Sequence, residues 1–257
     1  MQRPDAAISI IEFRSDSEAR PIPPAMAPTA IHVWELPLIV PESSLHAYKS
    51  LLSPDERDRA ARFHFERDAR KFSVARGRLR SILAMYVGLS PQDLCFIYSG
   101  QGKPSLRTSP RDIRFSISHS GDLALVAVAL GREVGVDIEK IREDVETDKL
   151  AERFFSSAER NAIRDLGTEQ RVAAFFRCWT CKEAFLKAQG VGLSRSLSSF
   201  DVEVNPAHTA RLLATRPDSD ESQRWVLHDI ATAAGYTAAV AAEGMVNNIT
   251  ILRPEQP

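Results

Sequence analysis

The sequence predicts a mixed α+β fold made of two similar halves with a cleft between them. Three observations predict it. Two long stretches carry apolar residues at helical spacing, and each stops at a glycine, Gly88 and Gly190. Each half then holds an Ala/Val-rich strand after a glycine turn, residues 123–130 after Gly121 and residues 236–242 after Gly235. The chain is 257 residues long, 44% apolar and 26% charged, which suits one or two globular domains with a core that needs no staples.

Residues 1–30 read as a proline-rich tail, because Pro21, Pro23, Pro24 and Pro28 forbid a helix there. Within it, the run 8–13 has the composition to add an edge strand. The N-terminal half is expected over residues 31–130, and its first strand is residues 31–36. Ser53, Pro54, Asp55 and Glu56 make a helix start: the serine can cap, proline suits the first turn, and the acids favour the positive end of the dipole. A long helix follows over 68–87, with Phe72, Ala75, Leu79, Ile82 and Leu83 on one stripe. Strands are expected at 115–118, 123–130 and 133–139, joined by turns at 120–122 and 131–132. The C-terminal half, residues 131–257, continues with helices at 151–155, 157–166 and 170–189. Strands return at 200–204, 225–229, 236–242 and 248–252.

Lys and Arg number 33 against 34 Asp and Glu, a formal net charge of −1, which argues against a nucleic-acid partner. The longest strictly apolar run, 123–130, is far short of the roughly 20 residues of a membrane-spanning helix, so no membrane association is expected. The N-terminus shows no charged start followed by an apolar core. Three cysteines, Cys95, Cys178 and Cys181, make no disulfide framework and fit a reducing compartment; the expected location is the cytoplasm.

Five features could carry chemistry. Residues 135–139 read Gly-Val-Asp-Ile-Glu. On a strand, Asp137 and Glu139 share one face while Val134, Val136 and Ile138 take the other. Two adjacent carboxylates repel unless a cation sits between them, and hard oxygen ligands suit Mg²⁺ or Mn²⁺. A strand with a solvated acidic face is the alternative. On the helix 170–189, Glu183 and Lys187 are one turn apart beside the aromatic stripe of Phe176, Trp179 and Phe185. Such a pair is either surface decoration or charge pinned against a central helix. Residues 57–80 hold nine cations against three acids, a local net of +6, which is a polyanion-binding patch or a solvated helix face. Residues 100–104, Gly-Gln-Gly-Lys-Pro, form a glycine turn that lets backbone approach a ligand, without the spacing of a P-loop. Ser118 and His119 stand at a strand end. The Cys178/Cys181 spacing lacks a second ligand pair and reads as coincidence.

Three segments in order, FSISHSG at 115–121, VGVDIE at 134–139 and WTCKEAFLK at 179–187, resemble the signatures of the 4′-phosphopantetheinyl transferases of the long, surfactin-synthetase type. Weaker similarity spans residues 31–252. The resemblance implies two pseudo-twofold α/β halves in one chain, with the active site between them and the chain acting as a monomer. It implies transfer of 4′-phosphopantetheine from coenzyme A to a serine of an apo acyl, peptidyl or aryl carrier protein, leaving adenosine 3′,5′-bisphosphate. It assigns Asp137, Glu139 and Glu183 to Mg²⁺, with Mn²⁺ as the other candidate. Glu183 is then the base for the serine, and Lys187 stabilises the leaving phosphate. Coenzyme A contacts fall on Arg59, Arg70, Lys71, Lys103, Pro104, Ser118, His119, Asp137 and Lys187. Glu56 departs from the pattern: some relatives place a coenzyme A-contacting lysine there, and Arg57 or Arg62 would have to substitute. A coenzyme A-binding regulator and a Mg²⁺-dependent phosphohydrolase stand as rival readings.

Overall fold

A computed structural model describes residues 6–13 and 25–254. Pro21, Pro23 and Pro24 of the expected tail lie outside the described residues. Twelve strands and six α-helices are described: β1 (Ala7–Phe13), β2 (Ala30–Pro37), α1 (Glu42–Ser50), α2 (Pro54–Ala61), α3 (Glu66–Val87), β3 (Phe96–Tyr98), β4 (Pro104–Leu106), β5 (Ile113–Ser120), β6 (Leu123–Leu130), β7 (Val134–Lys140), α4 (Thr147–Phe154), α5 (Ser157–Arg164), α6 (Thr168–Gln189), β8 (Phe200–Val202), β9 (Leu212–Thr215), β10 (Trp225–Asp229), β11 (Tyr236–Glu243) and β12 (Asn248–Pro254). The run 8–13 is an edge strand, pairing parallel to β12.

The layers run helix, sheet, sheet, helix. A five-stranded sheet has the order β1-β12-β2-β6-β5, and a three-stranded sheet the order β10-β11-β7. Alternation in the central strands sends side chains to two different cores. Trp34 and Leu36 of β2 pack with Leu79 and Leu83 of α3, while Ile31 and Val33 face the second sheet. Val134, Val136 and Ile138 of β7 meet that same inter-sheet core. Ala239 and Ala241 of β11 turn outward to α6, against Ala184 and Phe185. The C-terminal strand β12 crosses into the first sheet, beside β2.

The two halves share a construction. In each, a short helix opens with a Ser-x-x-Glu capping box: Ser53 with Glu56 on α2, and Ser156 with Glu159 on α5. Each glutamate is buried and reaches the following long helix. Glu56 accepts from Arg76 Nε at 2.8 Å and from Arg80 Nε at 2.6 Å. Glu159 pairs with Lys182 Nζ at 2.7 Å, and that ammonium also donates to the carbonyls of Leu197 and Phe200. Each long helix spans 22 residues and ends at a left-handed glycine, Gly88 at φ 71° and Gly190 at φ 70°.

Gly135 is where β7 touches α6. A Cβ there would lie 2.1 Å from the carbonyl oxygen of Ala184 and 2.2 Å from the amide nitrogen of Ala188. Only glycine permits that approach, and it brings Asp137 and Glu139 against α6.

Several elements were not expected. Helix α1 begins after Pro41 with no side-chain cap and buries only Leu45, so it carries almost no apolar period. Strands β3, β4 and β9 have three or four residues each, too short for an alternation to register. Helix α4 begins at Thr147, four residues ahead of the expected start.

Two outcomes follow from this packing. Gly135→Ala lowers stability by about 3 kcal/mol, the upper end of overpacking costs, because the colliding atoms are backbone; urea denaturation measures it. Burial raises the Glu56 pKa, but hydrogen bonding from Arg80 and the charge of Arg76 outweigh it, so the net shift is downward. Its contribution to stability is therefore present above the ordinary value of 4.5 and is lost as pH falls through the lower folded value. Glu56→Gln leaves two buried guanidiniums without their anion and costs about 3–5 kcal/mol near neutral pH. The difference from the parent protein shrinks in acid, which melting curves across pH read directly.

Candidate active site

Along β5, Ser116, Ser118 and Ser120 project from one face, toward the free edge of β7. Ser116 Oγ accepts the amide of Val136 at 3.1 Å, and Ser120 Oγ accepts the amide of Lys140 at 3.1 Å. Ser118 Oγ donates to Asp137 Oδ1 at 2.7 Å, and Ser120 Oγ donates to Glu139 Oε2 at 2.7 Å. Hydroxyls thus join the two sheets where backbone pairing stops.

On the other side, α6 delivers Glu183 and Lys187 from successive turns. Lys187 Nζ donates to Asp137 Oδ1 at 2.6 Å and to Ser118 Oγ at 2.8 Å. Asp137 is 3% exposed, and its second oxygen, Oδ2, is buried with no hydrogen-bond partner. Glu183 is half-buried and makes no hydrogen bond or ion pair with the described residues. Its pKa is raised, first by burial and then by the negative charges of Asp137 and Glu139, against the pull of Lys187. Glu139 is raised as well, by burial foremost and by Asp137, with the Ser120 hydrogen bond opposing. Carboxylates crowded into one partly buried place carry mutual repulsion that a cation relieves.

Among the described residues, no three His, Cys, Asp or Glu side chains stand gathered in ligating geometry as they are. The donor chemistry nevertheless suits a hard divalent cation: Glu183 of α6 feels the charges of Asp137 and Glu139 on β7, and one buried carboxylate oxygen of Asp137 lacks a partner.

His119 follows Ser118 at the cleft mouth. Burial first, then the charges of Lys187, Lys71 and Arg59, hold its pKa below the ordinary 6.5. The ring is therefore neutral near pH 7, with three cations around it. Lys71 pairs with Asp122 at 2.8 Å and donates to the carbonyl of Gly121. Arg59 lies over the Phe72 ring.

Not every expected residue joins this cluster. Arg70 pairs with Glu42 at 2.6 Å, on α1. Lys103 Nζ is held by Glu133 at 2.6 Å and by the carbonyl of Ala188 at 2.7 Å. Glu133 precedes Asp137 by four residues, about 13 Å along the strand. There Lys103 and Pro104 line a cleft of about 600 Å³ with Arg111, Arg114 and Gly190. The Ser118 hydroxyl is engaged with Asp137 and Lys187. Glu56 faces Arg76 and Arg80 inside the fold, so its charge is not directed at a ligand. The basic stretch divides accordingly: Arg76 and Arg80 are internal counter-ions, and Arg57, Arg59, Arg62 and Arg67 are exposed. Cys178 and Cys181 are fully buried free thiols whose pKa values burial pushes up, which removes them from metal or redox work.

Sequence reasoning passed over Ser116, Ser120 and Gly135. The serines did leave a signal, a hydroxyl at every second position of one strand. The signal gained meaning only when β7 was found beside it.

A family profile described as 4′-phosphopantetheinyl transferase superfamily matches residues 133–241, and one described as 4′-phosphopantetheinyl transferase, N-terminal, matches residues 41–130. The chain is 40% identical over 216 residues to the 4′-phosphopantetheinyl transferase HetI of Nostoc sp., covering 83% of this chain and 88% of that one. It is 37% identical over 165 residues to the 4′-phosphopantetheinyl transferase psf-1 of Bacillus pumilus, covering 64% and 69%. It is 32% identical over 195 residues to the 4′-phosphopantetheinyl transferase Sfp of Bacillus subtilis, covering 76% and 84%.

The electrostatics of the cluster yield a test independent of turnover. A carboxyl group with a raised folded pKa binds its proton more tightly in the native state, so stability falls as pH rises from 4.5 through the raised value. Glu183→Gln removes that charge. In chelator-treated protein its melting temperature exceeds that of the parent at about pH 8, and the gap closes as pH falls below the unfolded carboxylate range.

Proposed function

We propose a mechanism for this chain, which belongs to the 4′-phosphopantetheinyl transferase superfamily and transfers the 4′-phosphopantetheine group of coenzyme A to a serine of a carrier protein. One observation carries the mechanism: Glu183, unpaired and held above the usual carboxylate range, stands with Asp137, Glu139 and Lys187 where α6 crosses β7.

Glu183 takes the proton of the attacking carrier serine, directly or through a water. Its carboxylate makes no hydrogen bond or ion pair with the described residues, so it is open to that proton. The serine oxygen forms a bond to the phosphorus bearing pantetheine, the bridging P–O bond breaks, and adenosine 3′,5′-bisphosphate leaves. Lys187, already poised at the carboxylates, stabilises charge on the departing phosphate. Asp137, Glu139 and Glu183 would hold Mg²⁺ or Mn²⁺, through the unpartnered Oδ2 in the case of Asp137. When bound, the cation neutralises phosphate charge and polarises the phosphorus as a Lewis acid.

Arg59, Lys71 and His119 face the phosphates from the mouth of the cleft. The cleft lined by Lys103 and Pro104 receives the adenosine end. Both sheets that bound the cluster come from one chain, which supports a monomer. The free cysteines support a reducing compartment, the cytoplasm.

Incubation with coenzyme A, Mg²⁺ and a panel of apo acyl, peptidyl and aryl carriers, read by intact mass, tests the reaction. A carrier mass gain matching phosphopantetheine is expected; coenzyme A cleavage without carrier labelling would instead identify a hydrolase. Glu183→Gln abolishes the gain while remaining folded. Arg59→Ala and Lys71→Ala raise the coenzyme A concentration needed, and lose less with dephospho-coenzyme A, which lacks the 3′-phosphate. Arg70→Ala, whose guanidinium is paired with Glu42 on α1, changes neither donor requirement as much as Lys71→Ala does.

A further inference from the structure

We propose that Ser120 is a positioning residue for the candidate metal ligand Glu139; the inference rests on the metal reading given above. No other serine of the described chain joins both parts of the site in this way. Its Oγ donates to Glu139 Oε2 at 2.7 Å and accepts the amide of Lys140 at 3.1 Å. A single hydroxyl therefore spends its proton on the carboxylate and a lone pair on the backbone one residue later. The carboxylate is tied to the same stretch of β7 that carries it. The tie comes from β5, in the other sheet.

Two consequences follow from the geometry. First, Glu139 is oriented: with Oε2 held by the hydroxyl, Oε1 is left without a protein hydrogen bond among the described residues and is available to a ligand. Second, the lone-pair contact pins the register of β7 against β5, so Glu139 and Asp137 stay at the height of Glu183. Ser118 also donates to Asp137, but it accepts from Lys187 rather than from a backbone amide, so its removal would disturb two functions at once. Ser116 supplies the internal control. It sits on the same face of the same strand and accepts the amide of Val136, yet touches no carboxylate.

The test is Mn²⁺ binding to the full chain, followed by electron paramagnetic resonance of the free ion, with melting temperature measured on the same samples. Ser120→Ala should raise the Mn²⁺ dissociation constant about tenfold, the low end of losses seen when an outer-shell partner of a metal ligand is removed. Ser120→Thr keeps the hydroxyl on a residue suited to a strand, and should return the constant to within about twofold of the parent. Ser116→Ala should lower the melting temperature, by orphaning a buried amide, and leave the Mn²⁺ constant unchanged. Asp137→Ala separates the two layers of the argument. If Asp137→Ala weakens Mn²⁺ binding and Ser120→Ala does not, the positioning role is overturned while the metal reading stands. If Asp137→Ala also leaves Mn²⁺ binding unchanged, the metal site is misplaced and both fall. Equal losses in Ser120→Ala and Ser116→Ala would reduce Ser120 to a purely structural tie and overturn the proposal.

Discussion

The close approach of β7 to α6 at Gly135 is the contact on which the site depends. With no side chain at that position, strand and helix backbones come near enough for a carboxylate on β7 and an ammonium on α6 to share a 2.6 Å hydrogen bond. Ala184 and Ala188, one turn apart, form the small-residue seat for the glycine, and Glu183 and Lys187 are their immediate neighbours. Lengthening that gap by one methyl would separate Asp137 and Glu139 from both. The functional groups gather because two backbones touch.

Two buried glutamates hold the long helices against this arrangement. Glu56 and Glu159 occupy matching places in the two halves, each closing a capping box and each reaching a cation on the long helix. The partners differ: two arginines with five-donor forks in the first half, one lysine in the second. Lys182 is 0% exposed and immediately precedes Glu183. Its pairing with Glu159 and its contacts to the carbonyls of Leu197 and Phe200 fix the rotation of α6 about its axis, and that rotation aims Glu183 outward to the cleft. A buried ion pair of this kind contributes little net stability, since desolvation offsets attraction, but breaking it is costly. Its value here is geometric: with Lys182 fixed in the core, Glu183, about 100° further round the helix, is turned to the cleft.

The edge between the sheets solves a different problem. An unpaired strand edge leaves amides unsatisfied. Here, the hydroxyls of Ser116 and Ser120 on β5 accept the amides of Val136 and Lys140 on β7, while Ser118 and Ser120 donate to the two carboxylates. At Ser120 the amide contact and the carboxylate contact are made by one hydroxyl. Meanwhile burial, and after it the nearness of the other carboxylates, raises the pKa of Glu139 and Glu183.

Local chemistry in the sequence determined much of this. Helical spacing and terminal glycines marked α3 and α6, the Ser-Pro-Asp-Glu start marked α2, and strict alternation put Asp137 and Glu139 on one face of β7. The family motifs were legible for the same reason, since each lies within one element or runs one residue past its end. Tertiary structure alone decided which charges meet. Glu56 looked like a reversed ligand position and is an internal counter-ion, because its partners lie 20 and 24 residues away on another helix. Arg70 and Lys71 are neighbours in sequence, yet one faces α1 and the other the cleft, since successive helix residues point about 100° apart. The serines at 116, 118 and 120 acquired their role only from the placement of β7 beside β5, a contact between two sheets. Period and capping act over a few residues and are written in them. Pairing across the fold depends on how layers stack, and no local pattern encodes that distance.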